Sequence, residues 1–498
     1  MSSHYQELTP LLYFTLCDQF GRATNKIDHL GTNLFFYSYD ANSRLLLRTS
    51  AAKGTTFYAY DAVGNLTNID YPVSTDIRMA YDALNRVTNM VDSAGTCTYG
   101  YTTFGALAFE DCPWADDKVS YNYTSQLRTG LSLEQLNAPA WTNGYAYDGA
   151  NRFQSVASPA GTFSYSFQGA GRLVKKLSLP NSSYITNTFD TVARLTGTFL
   201  KNSSHTVLNS HQYSYNLWNQ RTNAVRTDGS FVGYGYDPSG QLVSALAKEP
   251  GGRTNRWNEQ FRYTYDSAGN LSNRVANVLT NVFNVNSLNQ LTSVICTNSS
   301  LTVGGNYSGA ATNVTVADNG NSPVEASRYS DGTFARTNVT LLNGTNTFVA
   351  VAKDADSRAD TNTAVSHLPS VASFAYDLNG NMLTNGTRFF EYNDENLLTC
   401  ITEPNAWKSV FAYDGKLRRR VRKEFTWRNA AWAQTNEVRY VYDGNLVIQE
   451  RNEFNIATKS YTRGLDLSGT MQGAGGIGGL LALITRRSSR PTSFITPM

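Results

Sequence analysis

Charge is scarce in this sequence: only 16% of its 498 residues are Asp, Glu, Lys or Arg, against about a quarter in an average soluble chain. It is therefore neither a disordered polyelectrolyte nor a coiled coil, both of which need far more Lys and Glu. The charge that is present nearly cancels, 42 basic against 39 acidic residues for a net of +3, so no global field draws the chain to nucleic acid or to an acidic membrane. Histidine and cysteine are few, five of each. Cys17, Cys97, Cys112, Cys296 and Cys400 are odd in number and hold no Cys-x-x-Cys, which indicates neither a zinc site nor a disulfide framework. Long apolar runs are missing as well. The longest apolar and glycine stretch, Gly473 to Ile484, falls short of the ~20 residues of a membrane-spanning helix. The start of the chain has no basic region followed by an apolar run and a small-residue cleavage site, so no secretory signal is read there.

What is abundant is tyrosine, 30 residues, and most of it recurs in one grammar. FYSYDANSRL (36–45), FYAYDAVGNL (57–66), GYAYDGANRF (144–153), GYGYDPSGQL (233–242), RYTYDSAGNL (262–271), SFAYDLNGNM (373–382) and RYVYDGNLVI (439–448) share it. Each reads aromatic, any residue, Tyr, Asp, a short turn, a polar residue, then a hydrophobe. The markers are Tyr39-Asp40, Tyr60-Asp61, Tyr81-Asp82, Tyr147-Asp148, Tyr236-Asp237, Tyr265-Asp266, Tyr376-Asp377, Tyr413-Asp414 and Tyr442-Asp443. Glycine stands three residues after Asp at Gly64, Gly240, Gly269 and Gly380. With weaker copies between them, the marker returns roughly every twenty residues.

Each copy is expected to be a β-hairpin. Two aromatics two residues apart share one face of a strand. Asp suits the first position of a type I turn and Gly the last. So short a unit cannot bury a face alone, so copies are expected to stack edge to edge into a continuous all-β sheet. The expected organisation is an N-terminal segment at 1–15, repeats at 16–300, an inserted small β-sandwich at 301–369, repeats again at 370–470, and a glycine-rich segment with an irregular tail at 471–498. The insert is placed where the Tyr-Asp marker is absent and Asn, Thr, Val and Gly take over.

These repeats resemble the YD repeats of the Rhs family and of the related teneurin-type shell. The resemblance implies a ribbon of hairpins spiralling into a hollow, non-enzymatic β-shell, outside the cell or at its surface. The implied partner is an enclosed or downstream polypeptide cargo, toxin-like in bacterial members. Glycans are the partner under the alternative reading, an adhesion or carbohydrate-binding module. The insert resembles bacterial immunoglobulin-like modules, and 461–483 looks like the start of the Rhs-associated core. No Asp-Pro-x-Gly plug motif follows Leu483, and the other end begins inside a degraded copy, so a segment of a longer shell is expected.

Other motifs weigh towards structure. Gly473-Ala-Gly475-Gly-Ile-Gly478 matches G-x-G-x-x-G, but without a βαβ context it is taken as a turn. Lys416 to Lys423, KLRRRVRK, could contact phosphate. A solvated or lumen-facing basic stripe is preferred, with Arg418, Arg420 and Arg422 on one strand face. Asp354, Asp356 and Asp360 lack the remaining ligands of a calcium loop and are taken as a turn. The acid pairs Glu110-Asp111 and Asp116-Asp117 are taken as solvated. No catalytic residue, cofactor, metal site or nucleic-acid partner is assigned.

Overall fold

The computed structural model describes residues 13–28, 30–487 and 490–494, so most of the expected N-terminal segment lies outside the described residues. Within them the regular structure is antiparallel strand, and none is helix. The chain divides into two units, residues 1–184 with 375–498, and residues 185–374.

One hairpin explains the rest. Strands Gly54–Tyr60 and Leu66–Asp70 pair with Tyr60 opposite Leu66, and the register shifts by a bulge beside Tyr60. Between them Gly64 N–H donates to Asp61 C=O at 3.1 Å and Asp61 N–H to Asn65 C=O at 2.9 Å. Gly64 has φ +100°, so it is the left-handed residue of a type I turn with a glycine-type bulge rather than the last corner of a plain type I turn. The expected turn, with Asp first and Gly last, is thus extended by a bulge, which explains its sequence variation. The fourth position needs a left-handed residue, and Asn85, Asn151 and Ser43 meet that need at φ 60°, 57° and 64°.

In the first unit, strands from Tyr13–Cys17 to Val174–Ser178 each pair with the next, hairpin after hairpin. A second ladder runs from Ala375–Tyr376 to Arg490–Phe494. The tail expected to be irregular thus carries strands Leu480–Arg487 and Arg490–Phe494; the Leu-Ala-Leu-Ile run supplies the extended partner that Ala457–Arg463 needs. The aromatic faces of the two ladders meet. Tyr99, Tyr121, Tyr145, Phe163 and Tyr165 are buried from one side, and Val438, Tyr440, Tyr442 and Ile448 from the other. The approach is close enough that a Cβ on Gly464 would lie 2.0 Å from the Tyr165 hydroxyl. Strand Ala138–Tyr147 shows the consequence, with burial alternating at every second residue.

The second unit carries its own ladder, from Leu195–Lys201 to Leu291–Cys296 and on to Val371–Ser373. Here the alternation is gone: Phe231–Tyr236, Leu271–Ala276 and Leu291–Cys296 are half-buried at every residue. The interruption between Ser300 and Leu368 folds as two small sheets around Val314, Val316, Ala326 and Phe334. Arg256, fully buried, ties it to the ladder through Glu249 (2.6 Å) and Glu259 (3.1 Å) on one side and Asp331 (2.5 Å) on the other.

Candidate functional site

The recurring grammar of the sequence is a latch between successive hairpins. In the copy at Asp82, one carboxylate oxygen accepts from the N–H groups of Leu84 (2.9 Å) and Arg86 (3.0 Å), and the other from Arg86 Nε at 2.8 Å. The Arg86 guanidinium lies over the ring of the next marker, Tyr101, at 4.4 Å. The Tyr101 hydroxyl reaches back to the carbonyl of Val87 at 2.8 Å. The cycle recurs: Arg44 bonds Asp40 and covers Tyr60, whose hydroxyl donates to Leu45 C=O. Arg152 bonds Asp148 and covers Phe167, and Arg194 bonds Asp190 and covers Tyr215. Where the polar residue is Asn, it makes the same return bond, Asn65 to Asp61 at 2.9 Å, and extends to the next turn at Asn85. Asp266 with Asn270 and Asp377 with Asn381 repeat that form. The hydroxyls of Tyr81, Tyr147, Tyr236, Tyr265, Tyr413 and Tyr442 donate to the main chain of the preceding copy. The Asn65 side chain, then the Asn65, Gly64 and Val63 N–H groups, hold the Asp61 carboxyl below its ordinary range; at Asp82 the Arg86 side chain leads.

Asp237, with Gly240, and Asp414 cap their turns in the same way. Asp443 departs from the pattern. Its carboxylate takes both terminal nitrogens of Arg128, at 2.9 and 2.7 Å, across the junction of the two ladders. Arg128 stands opposite Tyr123, where other copies place Leu45, Leu66 or Val87 opposite their Tyr; that exchange of an aliphatic for an arginine was the available sequence signal.

A buried charge cluster closes the same junction, and it overturns two expectations. Glu110 and Asp117, expected to be solvated, are 4% and 2% exposed. Arg418 and Arg420, expected on an open basic stripe, are buried too. Arg418 joins Glu110 and Asp414, Lys416 reaches Glu110 at 3.4 Å, and Arg420 faces Asp117 at 3.4 Å over the Trp114 ring. The physical reason is that the facing ladder supplies opposite charges, so each strand's charged edge is paired rather than hydrated. Arg422 and Lys423 pair with Glu424 and Glu437, which leaves little of this run for a phosphate backbone. Burial pushes the Asp117 carboxyl up to about 6 against the pull of Arg420 and Arg451, and burial likewise raises Asp92. Glu110 goes the other way: burial opposes it, but Arg418 and Lys416 hold it below its ordinary value.

Cys97 and Cys112 form a disulfide, a correction to the reading of the cysteines. They are 15 residues apart in sequence yet neighbours across a strand pair in which Thr98 faces Asp111. With Glu110 they make a cluster of metal-ligand type, but the disulfide takes both sulfurs and the Glu110 carboxylate is held by two cations, so the donor set does not suit a metal ion. The glycine loop supplies its own anion. Asp466 accepts from the N–H groups of Ala474 (2.6 Å) and Gly476 (3.1 Å) and from the Ser468 hydroxyl, and these bonds outweigh burial to hold its carboxyl at about 2. Asp354 caps a turn through the N–H of Arg358 (3.0 Å) and its side chain (2.7 Å).

Hairpins capped by Asp, latched by Arg or Asn and tied by a Tyr hydroxyl define a YD-repeat wall. Residues 21–152 match the family model of the Teneurin YD-shell. The same latch recurs outside the matched residues, in the second unit and in the second ladder, so the likeness to the YD-shell extends along the chain. Among solved structures, a mutant of the Photorhabdus luminescens Tc holotoxin pore is 14% identical, with 90% of this chain and 23% of that chain covered and a TM-score of 0.47. The complex of TcdB2-TccC3 with Cdc42 is 12% identical, covering 91% and 26%, with a TM-score of 0.42. TcdB2-TccC3 without its hypervariable C-terminal region is 13% identical, covering 96% and 25%, with a TM-score of 0.40. The chain spans about a quarter of the length of these structures. No curated protein matches it.

Proposed function

We propose that this chain is a non-enzymatic stretch of YD shell whose role is mechanical: a secreted or cell-surface wall that encloses or displays a polypeptide continuing from its C-terminal side. The observation that carries this is the latch. It spends the chemistry-bearing residues of the repeat, Asp, Arg and Tyr, on one another, and so converts them from candidates for catalysis into fasteners. A wall needs many equal joints, whereas an active site needs one unequal one. The insert at 301–369 is, on this reading, an immunoglobulin-like module carried on the wall. The carbohydrate-binding alternative is weakened by the same bonds, because the Tyr hydroxyls that would meet a sugar already serve main-chain carbonyls.

The test is to fuse an unstructured polypeptide after Met498 and follow its cleavage by a non-specific protease. The expected result is cleavage of the fused segment at least tenfold slower than of the same segment attached to an unrelated β-protein. Equal cleavage rates would contradict the reading.

A further inference from the structure

Two arginines of the second unit occupy repeat positions at which Arg128 and Arg48 of the first unit are neutralised; Arg419, opposite Tyr413, is a first-unit arginine at such a position that lies over the Phe411 and Tyr440 rings instead. Arg221 stands opposite Tyr215, the repeat position of Arg128 opposite Tyr123. Arg274 stands opposite Tyr263, the position of Arg48 opposite Tyr37. In the first unit both positions are satisfied by carboxylates from the facing ladder: Arg128 by Asp443, and Arg48 by Glu395 at 3.0 and 3.2 Å. In the second unit neither arginine meets a carboxylate among the described residues. Arg221 lies over the Tyr213 ring, 3.8 Å away, and Arg274 over the Phe283 ring at 5.5 Å.

These arginines lie on the aromatic face of the ladder. Strand pairing carries Tyr213, Tyr234, Tyr263 and Phe283 onto one side together with Arg274, and the stacking on Tyr213 puts Arg221 there as well. In the first unit the corresponding residues Tyr121, Tyr145 and Tyr165 are 6–8% exposed beneath the second ladder. In the second unit the face is only half-buried.

We propose that this face docks an extended acidic polypeptide that presents one carboxylate to Arg221 and another to Arg274, roughly four strand spacings or about 19 Å apart. The charge pattern selects the occupant: apolar and aromatic side chains between two guanidinium groups fit a strand with acids at i and i+6, about 20 Å apart, and apolar residues at i+2 and i+4 on the same face. The inference rests on the reading of the repeats as a wall for a polypeptide, and names the surface and the chemistry of contact.

The test uses the full chain and a fluorescein-labelled twelve-residue peptide with two Glu six residues apart, Val at the two same-face positions between them and Ser elsewhere, read by anisotropy. We expect binding about tenfold or more tighter than that of the same peptide with Gln for Glu, and a loss of at least that factor in an Arg221→Gln/Arg274→Gln double variant whose circular dichroism is unchanged. Arg221→Lys/Arg274→Lys should keep most of the binding, which separates charge from folding. Arg262→Gln, on the opposite face, should change nothing. Equal binding of the Gln peptide, or undiminished binding by the double Gln variant, would overturn the inference. So would a heparin oligosaccharide binding through the two arginines in place of the peptide. Failure of the unaltered chain to bind the peptide, with the fused segment still protease-resistant, would count against this surface alone, not against the wall.

Discussion

Arg128 and Asp443 lie 315 residues apart and close a two-pronged ion pair that fastens one ladder of hairpins to the other. The Arg128 guanidinium also lies over Tyr121 at 4.6 Å and Tyr145 at 5.2 Å, so it is sandwiched between charge and ring. Removing one partner leaves the other buried and unpaired. Arg128→Leu is therefore expected to lower stability by about 3–5 kcal/mol, and Arg128→Leu with Asp443→Leu by less than either change alone. Urea unfolding of the three variants checks this; single losses that simply add in the double variant would show that the pair is incidental.

The turns predict a contrast between two positions with the same conformation. Gly64 at φ +100° tolerates no side chain without strain, so Gly64→Val should cost about 1–2 kcal/mol, whereas Asn151→Gly, at φ 57°, should be near neutral. Thermal unfolding of both variants decides it.

The buried cluster gives the pH dependence its sign. The Asp117 carboxyl, raised to about 6, prefers its proton in the folded chain, so its burial penalty is relieved as pH falls through 6 towards its ordinary value of 3.8 and is in full force above 6. Asp92 is shifted the same way by burial, and the lowered Glu110 loses its contribution only at more acidic pH. The melting temperature is expected to rise by a few degrees from pH 7.5 to 5.5. Asp117→Asn should flatten most of that rise, and an unaltered pH profile in the variant would rule out Asp117 as the source.

Reduction of the Cys97–Cys112 disulfide opens a loop of 15 residues and is expected to cost about 3 kcal/mol. A reducing agent should lower the melting temperature of the chain and leave that of a Cys97→Ala/Cys112→Ala variant unchanged.

The sequence made local structure legible and long-range pairing illegible. Asp61, Gly64 and Asn65 complete their turn within five residues, so the hairpin and its period could be read from the chain alone. Even there the left-handed requirement at Gly64 was missed, since a type I turn and its bulged form share the same first residues. Glu110 and Arg418 are separated by 308 residues, and nothing in either neighbourhood says that one will meet the other. Without the facing ladder, an adjacent pair such as Asp116-Asp117 has the pattern of a solvated edge; with it, Asp117 turns inward. Asp443 carried the repeat motif but not the repeat role, because Gly444 and Asn445 make a shorter turn that frees its carboxylate for Arg128.

The central claim is that the Asp, Arg and Tyr of each copy lock it to the next and make one mechanical wall of the ladder. Native-state hydrogen exchange on the intact chain and on Asp82→Ala tests this most directly. The account predicts slow exchange throughout strands 33–178 in the intact chain, and in the variant a loss of protection that spreads to both neighbouring hairpins, at 54–70 and 95–111. Loss confined to the hairpin at Ile77–Asp92 would contradict it, since each copy would then hold itself together without its neighbours.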